Sequence, residues 1–164
     1  MTFVALANIT LGSSASSVSF SSIPTTGFRD LILISFVRSF SSDSNVRARF
    51  NGDGASNYTY VRMLGLGSNP ANSDSTTETG LQVGRQTNGS DIGFGSGVAQ
   101  IMDYSATDKH KTVLVRADNG NALAIANAGR WSNTSAITSI VLTSFEGTAN
   151  FAAGSSFALY GIRS

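Results

Sequence analysis

The sequence predicts an all-β protein, an antiparallel two-sheet sandwich of jelly-roll type, in a single domain over residues 1–164. Three observations predict it. Apolar residues recur with period 2 in short segments rich in β-branched and aromatic side chains. Clusters of Gly, Asn, Asp or Ser bound these segments every 8 to 12 residues or so, the spacing of sandwich strands. No stretch of ten or more residues carries the i, i+3, i+4, i+7 spacing of an amphipathic helix; the nearest, Ala122 to Ala128, alternates Leu123 and Ile125 against small residues and is interrupted by Asn127.

Strands are expected at 3–11, 16–22, 29–39, 46–51, 57–66, 81–84, 91–94, 98–104, 110–117, 121–130, 137–144 and 156–162. The first holds the apolar run from Phe3, and the third follows Pro24 and contains Leu31 to Ile34. In the fourth, Val46, Ala48 and Phe50 alternate with Arg47 and Arg49; in the fifth, Tyr58 and Tyr60 alternate with Val61 and Met63. Two turns are well marked, because Gly and Asn tolerate the positive φ that hairpins demand. Asn51-Gly52-Asp53-Gly54 joins the fourth and fifth segments, and Asn119-Gly120 joins Thr112–Val115 to Ala122–Ile125. The stretch from Gly67 to Gly80 is polar and aperiodic and reads as a loop, with Pro70 inside it. The last strand, Phe157-Ala-Leu-Tyr-Gly-Ile162, ends two residues before the final Ser164, as expected of one compact unit.

Composition narrows function. The chain has no Cys and one His, so thiolate metal sites, redox pairs and cysteine nucleophiles are excluded. A formal charge of +1 with scattered basic residues lacks the footprint of a nucleic-acid binder. No 18-residue apolar stretch exists to span a membrane, and Ala5-Leu6-Ala7, although it has the form of a signal-peptidase site, follows neither a basic nor a long apolar region. The mature chain is therefore expected to begin at or near Met1. Charged residues are 13% of the total while Ser and Thr supply roughly a quarter, so the surface is coated with hydroxyls and meets another protein at little cost in charge repulsion.

The candidate chemistry is sparse. His110, between Lys109 and Lys111, reads as an exposed loop-to-strand cluster and not as the sheltered base of a nucleophile triad. Asp103 and Asp108 flank Tyr104 to Thr107 and read as turn residues, with paired-carboxylate hydrolysis as the alternative. Asn51, Asp53 and Asn57 offer oxygen ligands, but their spacing departs from a calcium loop and no bidentate Glu follows. Trp131, the sole Trp, reads as a core or rim anchor, with a sugar platform as the alternative. Four Asn-x-Ser/Thr tripeptides, at Asn8, Asn57, Asn88 and Asn133, are expected by chance in so hydroxyl-rich a chain. No catalytic, cofactor or metal residue is expected.

One face stands out. If Val46, Ala48 and Phe50 point inward, period 2 sends Arg47 and Arg49 the other way, and Tyr58, Tyr60 and Arg62 share a face opposite Val61 and Met63. Pairing of these two strands in register would produce an Arg/Tyr surface. It reads either as a protein interface or as a solvated cation–π ladder across a hairpin.

Several stretches, in order, resemble small structural proteins of tailed bacteriophages. They are Ser22-Ile-Pro24 leading to Arg29-Asp-Leu31, Arg49-Phe-Asn-Gly-Asp53 with Asn57-Tyr58, and Asp103-Tyr104 leading to Lys109-His-Lys-Thr-Val113. Trp131 with Ala136-Ile-Thr-Ser-Ile140, and Asn150-Phe-Ala-Ala-Gly-Ser155 closing on Leu159-Tyr-Gly-Ile162, complete the series. The resemblance covers most of the chain. It implies a virion β-sandwich without enzymatic activity: a head decoration (cement) protein that binds the major capsid protein, or a tail-associated protein that contacts host surface or glycan. It also implies a homo-oligomer, with the trimer favoured, and a place on the capsid surface.

Overall fold

The structure, a computed structural model, describes residues 2–39, 44–67, 69–88, 93–120, 123–145, 147 and 149–163. Its strands run β1 (Thr2–Thr10), β2 (Ser17–Phe20), β3 (Asp30–Ser39), β4 (Ser44–Phe50), β5 (Tyr58–Leu66) and β6 (Asn69–Glu78). They continue with β7 (Leu81–Asn88), β8 (Gly95–Met102), β9 (Lys111–Asp118), β10 (Leu123–Trp131), β11 (Ile140–Ser144) and β12 (Ser156–Arg163). No helix occurs among the described residues, and the protein is all-β as its periodicity predicted.

The strands join in one large mixed sheet in the order β2-β11-β4-β7-β3-β8-β9-β10-β5-β6, with β12 beside β3 and β1 beside β12. Every pairing is antiparallel except one. β3 pairs with β12 over Asp30–Phe36, and Val37–Ser39 then run parallel to Gln86–Asn88 of β7. This switch of partner along a ten-residue strand ties the two halves of the sheet together, and it corrects the expectation of a purely antiparallel arrangement.

The core is built from the inward residues of almost every strand. Leu31, Leu33 and Val37, then Val46, Ala48 and Phe50, join Leu81, Ile101, Val113, Val115, Ile125, Ile140, Leu142, Phe157 and Leu159 in one buried cluster. The β7 and β8 backbones come unusually close. A Cβ placed on Gly97 would lie 2.8 Å from Gly84 Cα and 2.8 Å from Val83 O, so two glycines let the β7 backbone ride directly on β8.

Three local expectations are corrected. Residues 69–78, read as loop, form strand β6, paired with β5 along nearly its whole length. Its side chains from Ser73 to Thr77 are mostly exposed, so an edge strand held by its backbone ladder shows no apolar period to read. The expected strand 91–94 does not appear at Gly93 or Phe94, residues 91 and 92 lying outside those described, and β7 instead extends well past 84. The turn at residues 51–54 forms, with Asn51 at φ 52° and Gly52 at φ 71°, but it does not close a hairpin. β4 pairs with β7 and β11, whereas β5 pairs with β10 and β6, because the turn carries the chain across the core instead of alongside itself. The Asn119-Gly120 turn does join an antiparallel pair, β9 and β10.

Candidate functional site

The expected Arg/Tyr face does not exist as one surface. With β4 and β5 unpaired, its residues separate into two environments, and the tyrosines turn inward. Tyr58 is fully buried and Tyr60 nearly so, while Val61 and Met63 are 55% and 60% exposed. Both alternating sets on β5 are apolar enough to face a core, so periodicity revealed the alternation but not its sense.

Tyr58 belongs to an aromatic cluster at the crossing turn. Its ring stacks on Trp131 at 6.3 Å, and Trp131 meets Phe50 edge-on at 5.5 Å. The Tyr58 hydroxyl donates to Asp53 O and accepts from the Phe50 N–H, each at 3.0 Å. Trp131 Nε1 donates to Asp53 Oδ2 at 2.7 Å, and the same carboxylate accepts from Asn57 Nδ2 and the Ala55 N–H. Burial alone would raise the Asp53 pKa, but these hydrogen bonds outweigh it and hold the carboxyl below its ordinary range. Their contribution to stability is present above the usual carboxylate pKa and is lost as pH falls through the lowered value. Asn51 is committed too, its Nδ2 donating to Ala136 O and its Oδ1 accepting from the Thr138 and Ser139 N–H groups. The three residues weighed as calcium ligands thus lock the turn. Trp131 is completely buried, which overturns its reading as a sugar platform.

Burial pushes the Tyr58 phenol up to about 12 from an ordinary value of 10.0. The protonated form is the one the fold favours, so this contribution is complete below pH 10 and is lost as pH rises through about 12. Across that window folding is expected to weaken by about 3 kcal/mol at most. In a phenolate absorbance titration the wild-type chain should show an ionisation step near pH 12, and Tyr58→Phe should remove it. A titration complete by pH 11 in the folded protein would refute this.

The arginines lie elsewhere. Arg47 Nε donates to Thr143 Oγ1 at 3.3 Å with its guanidinium 5.7 Å from the Phe145 ring centre, and Arg49 binds Thr79 O and Oγ1 at 2.9 and 3.1 Å. Their outward neighbours across β11 and β2 are Thr143, Val141, Ser17 and Ser19, a hydroxyl-rich face. Arg62 is tied to the edge strand, with Nε 2.9 Å from Asp74 Oδ1 and Nη1 3.2 Å from Gln82 Oε1.

The Asp103 turn is held by hydrogen bonds. Asp103 sits at φ 47° and accepts from the Ala106 N–H through its carbonyl, the turn role expected of it. Buried Asp30, which the sequence reading did not single out, accepts from the Asp103 N–H and Gln100 Nε2 at 3.0 Å each and anchors that turn to β3. Lys109 and His110 are exposed as expected and Asp108 is exposed beside them, but Lys111, expected in the same exposed cluster, is fully buried. Its ammonium donates to Lys109 O at 2.9 Å and Thr134 O at 3.1 Å, and desolvation lowers its pKa.

The surface that sequence reasoning missed is the outward face of β3, β8, β9, β10 and β5. Register aligns Ile32, Gln100, Leu114, Ala128 and Val61 in one cross-strand row, and Ile34, Val98, Arg116, Ala126 and Met63 in the next. Leu114 is 44% exposed, and the two rows line a shallow groove of about 540 Å³. The signal was present in β10, where Ala124, Ala126 and Ala128 make the second face of the strand largely apolar, and in the single Leu114 on the second face of β9. Beside it lies a hydroxyl-lined groove of about 700 Å³ formed by Thr59, Thr76, Thr77, Thr112 and Arg130.

Comparison with known protein families, curated proteins and solved structures returns no match.

Proposed function

We propose that this chain is a non-enzymatic virion structural protein, a capsid decoration protein that binds the major capsid protein and stabilises the assembled head. The observation that carries the reading is a hydroxyl-coated molecule of low charge with two surfaces suited to assembly, the Arg47 and Arg49 face for docking and an exposed apolar sheet face bearing Val61, Met63 and Leu114 for association. Contiguous apolar patches of this kind mark association surfaces. The ordered resemblance to phage structural proteins supplies the setting. Decoration needs no chemistry: a protein that binds only the intact shell raises its resistance to rupture by mass action, and symmetry multiplies each modest contact. Arg47 and Arg49, on the opposite hydroxyl-rich face, are the side chains offered to the capsid.

The fold we propose with this function is a two-layered, jelly-roll-like sandwich. β2, β11, β4 and β7 form one layer, the remaining strands the other, and the parallel β3–β7 strip joins them. Support comes from the Phe50 ring of β4 meeting Tyr58 of β5 and Trp131 of β10, strands with which β4 does not pair, and from the close approach of Gly84 to Gly97.

Quantitative mass spectrometry of purified parent particles tests the function. Hundreds of copies per particle are expected, with earlier rupture on heating when the protein is removed. Absence from particles would end the reading. A second reading, a tail-associated glycan-binding module, is favoured by the threonine groove beside Arg130. It predicts a handful of copies per particle and a glycan-array signal lost in Arg130→Ala.

A further inference from the structure

We infer that the outward face of β3, β8, β9, β10 and β5 is covered by the same face of a second copy of this chain, in a two-fold contact with the β9 strands antiparallel. The strand ladders of this face measure about 650 Å², from five strands about 4.8 Å apart and four outward rows about 6.7 Å apart, the scale of one partner's share in a small stable interface, and the turns beyond Asp118 and Leu66 extend it.

Charge argues for a copy of the chain over any other partner. Arg116, exposed in the middle of the apolar rows, makes no ion pair with a described residue. Two positions along β9, Asp118 points to the same side, its carboxylate accepting from Ser96 Oγ and the Gly120 N–H. A two-fold axis lying across the strands between these rows sets each Arg116 against the partner's Asp118, so the face satisfies its own charges reciprocally.

The same operation matches sizes. On β5 and β8 it sets Met63 against the partner's Gly65 and Val98 against the partner's Ser96, large side chains over small ones; on β3 it sets Ile34 against the partner's Phe36, an apolar pair, and it carries Leu114 and Val61 over the partner's turns beyond Asp118 and Leu66. Facing sheets keep their strand directions within about 30°, so this opposition holds best on β9 and its neighbours. The contact is isologous. It builds dimers, unlike the trimers that the phage resemblance implies.

Sedimentation velocity on the isolated protein from about 1 to 200 μM tests the contact, with folding of each variant checked by circular dichroism. The wild-type chain should dimerise, and Leu114→Asp, at an exposed position, should leave a folded monomer. Arg116→Asp and Asp118→Arg should each weaken dimerisation at least about tenfold alone, yet pair when mixed, since the mixture restores both Arg–Asp contacts. A wild-type monomer throughout this range overturns the inference, as does an oligomer of any order unchanged by Leu114→Asp. The assay does not depend on where the protein resides. Failure here leaves the virion reading standing, and absence from particles leaves the dimer standing.

Discussion

Trp131→Ala is expected to cost about 3–5 kcal/mol of folding stability, the range for truncating a fully buried large aromatic. The cavity it leaves cannot close easily. Phe50 and Tyr58 lose an edge-on and a stacked partner, and they sit on β4 and β5, which share no hydrogen-bonded ladder to draw them together. The Asp53 carboxylate also loses a donor at 2.7 Å while keeping those from Asn57 and Ala55. Trp131→Phe separates the effects: most of the ring volume remains, only the indole N–H goes, and the expected loss falls to about 1–3 kcal/mol. Urea unfolding followed by far-ultraviolet circular dichroism measures both. A Trp131→Ala loss below about 1 kcal/mol would show that these rings do not hold the two sides of the core together.

Gly97→Val is the second large expectation. The new Cβ would lie 2.8 Å from Gly84 Cα and Val83 O, and 2.9 Å from Ser35 Oγ, where two of the three obstacles are backbone. Only movement of β7 away from β8 relieves the overlap, which separates Leu81 and Val83 from the core. A loss of at least about 3 kcal/mol, or no soluble protein at all, is expected. Gly65→Ala is the control, since its Cβ would meet nothing within 4 Å, and it should leave the unfolding midpoint almost unchanged. Equal midpoints for Gly97→Val and Gly65→Ala would rule out the close approach of the two backbones.

The inferred self-contact and the capsid reading use different surfaces. Burying Val61, Met63 and Leu114 between copies leaves the Arg47 and Arg49 face, with its serine and threonine neighbours, turned outward on each side of the pair. A dimer would then present two equivalent polar faces. Binding by one face leaves the other free to bridge to a neighbouring subunit.

Legibility in the sequence followed the range of the interactions involved. Strand positions were readable for most of the chain, since a pleated backbone with one covered face imposes period 2 on the residues themselves, as in Val46-Arg-Ala-Arg-Phe50. Turn chemistry was readable for the same reason: Asn51, Gly52 and Gly120 adopt the positive φ that their types suggested. Strand β6 was not readable, because an edge strand with mostly exposed side chains takes its conformation from a partner's hydrogen bonds. The candidate face was hidden by the same difficulty in another form. Tyr58 and Tyr60 on one side of β5, and Val61 and Met63 on the other, are equally able to fill a core.

By itself, then, the sequence determined that this protein is all-β, where most of its strands lie, and that thiol chemistry is closed to it. Only the tertiary structure decided which strands are neighbours, which side of β5 is inside, and that Trp131 is an anchor wholly within the core. The physical reason is that alternation and φ are local properties, whereas neighbour and facing are settled by contacts between residues far apart in the chain. Strands far apart in the chain, such as β3 and β12 or β4 and β11, are the ones that pair, so most of what orients these strands is written in no single segment.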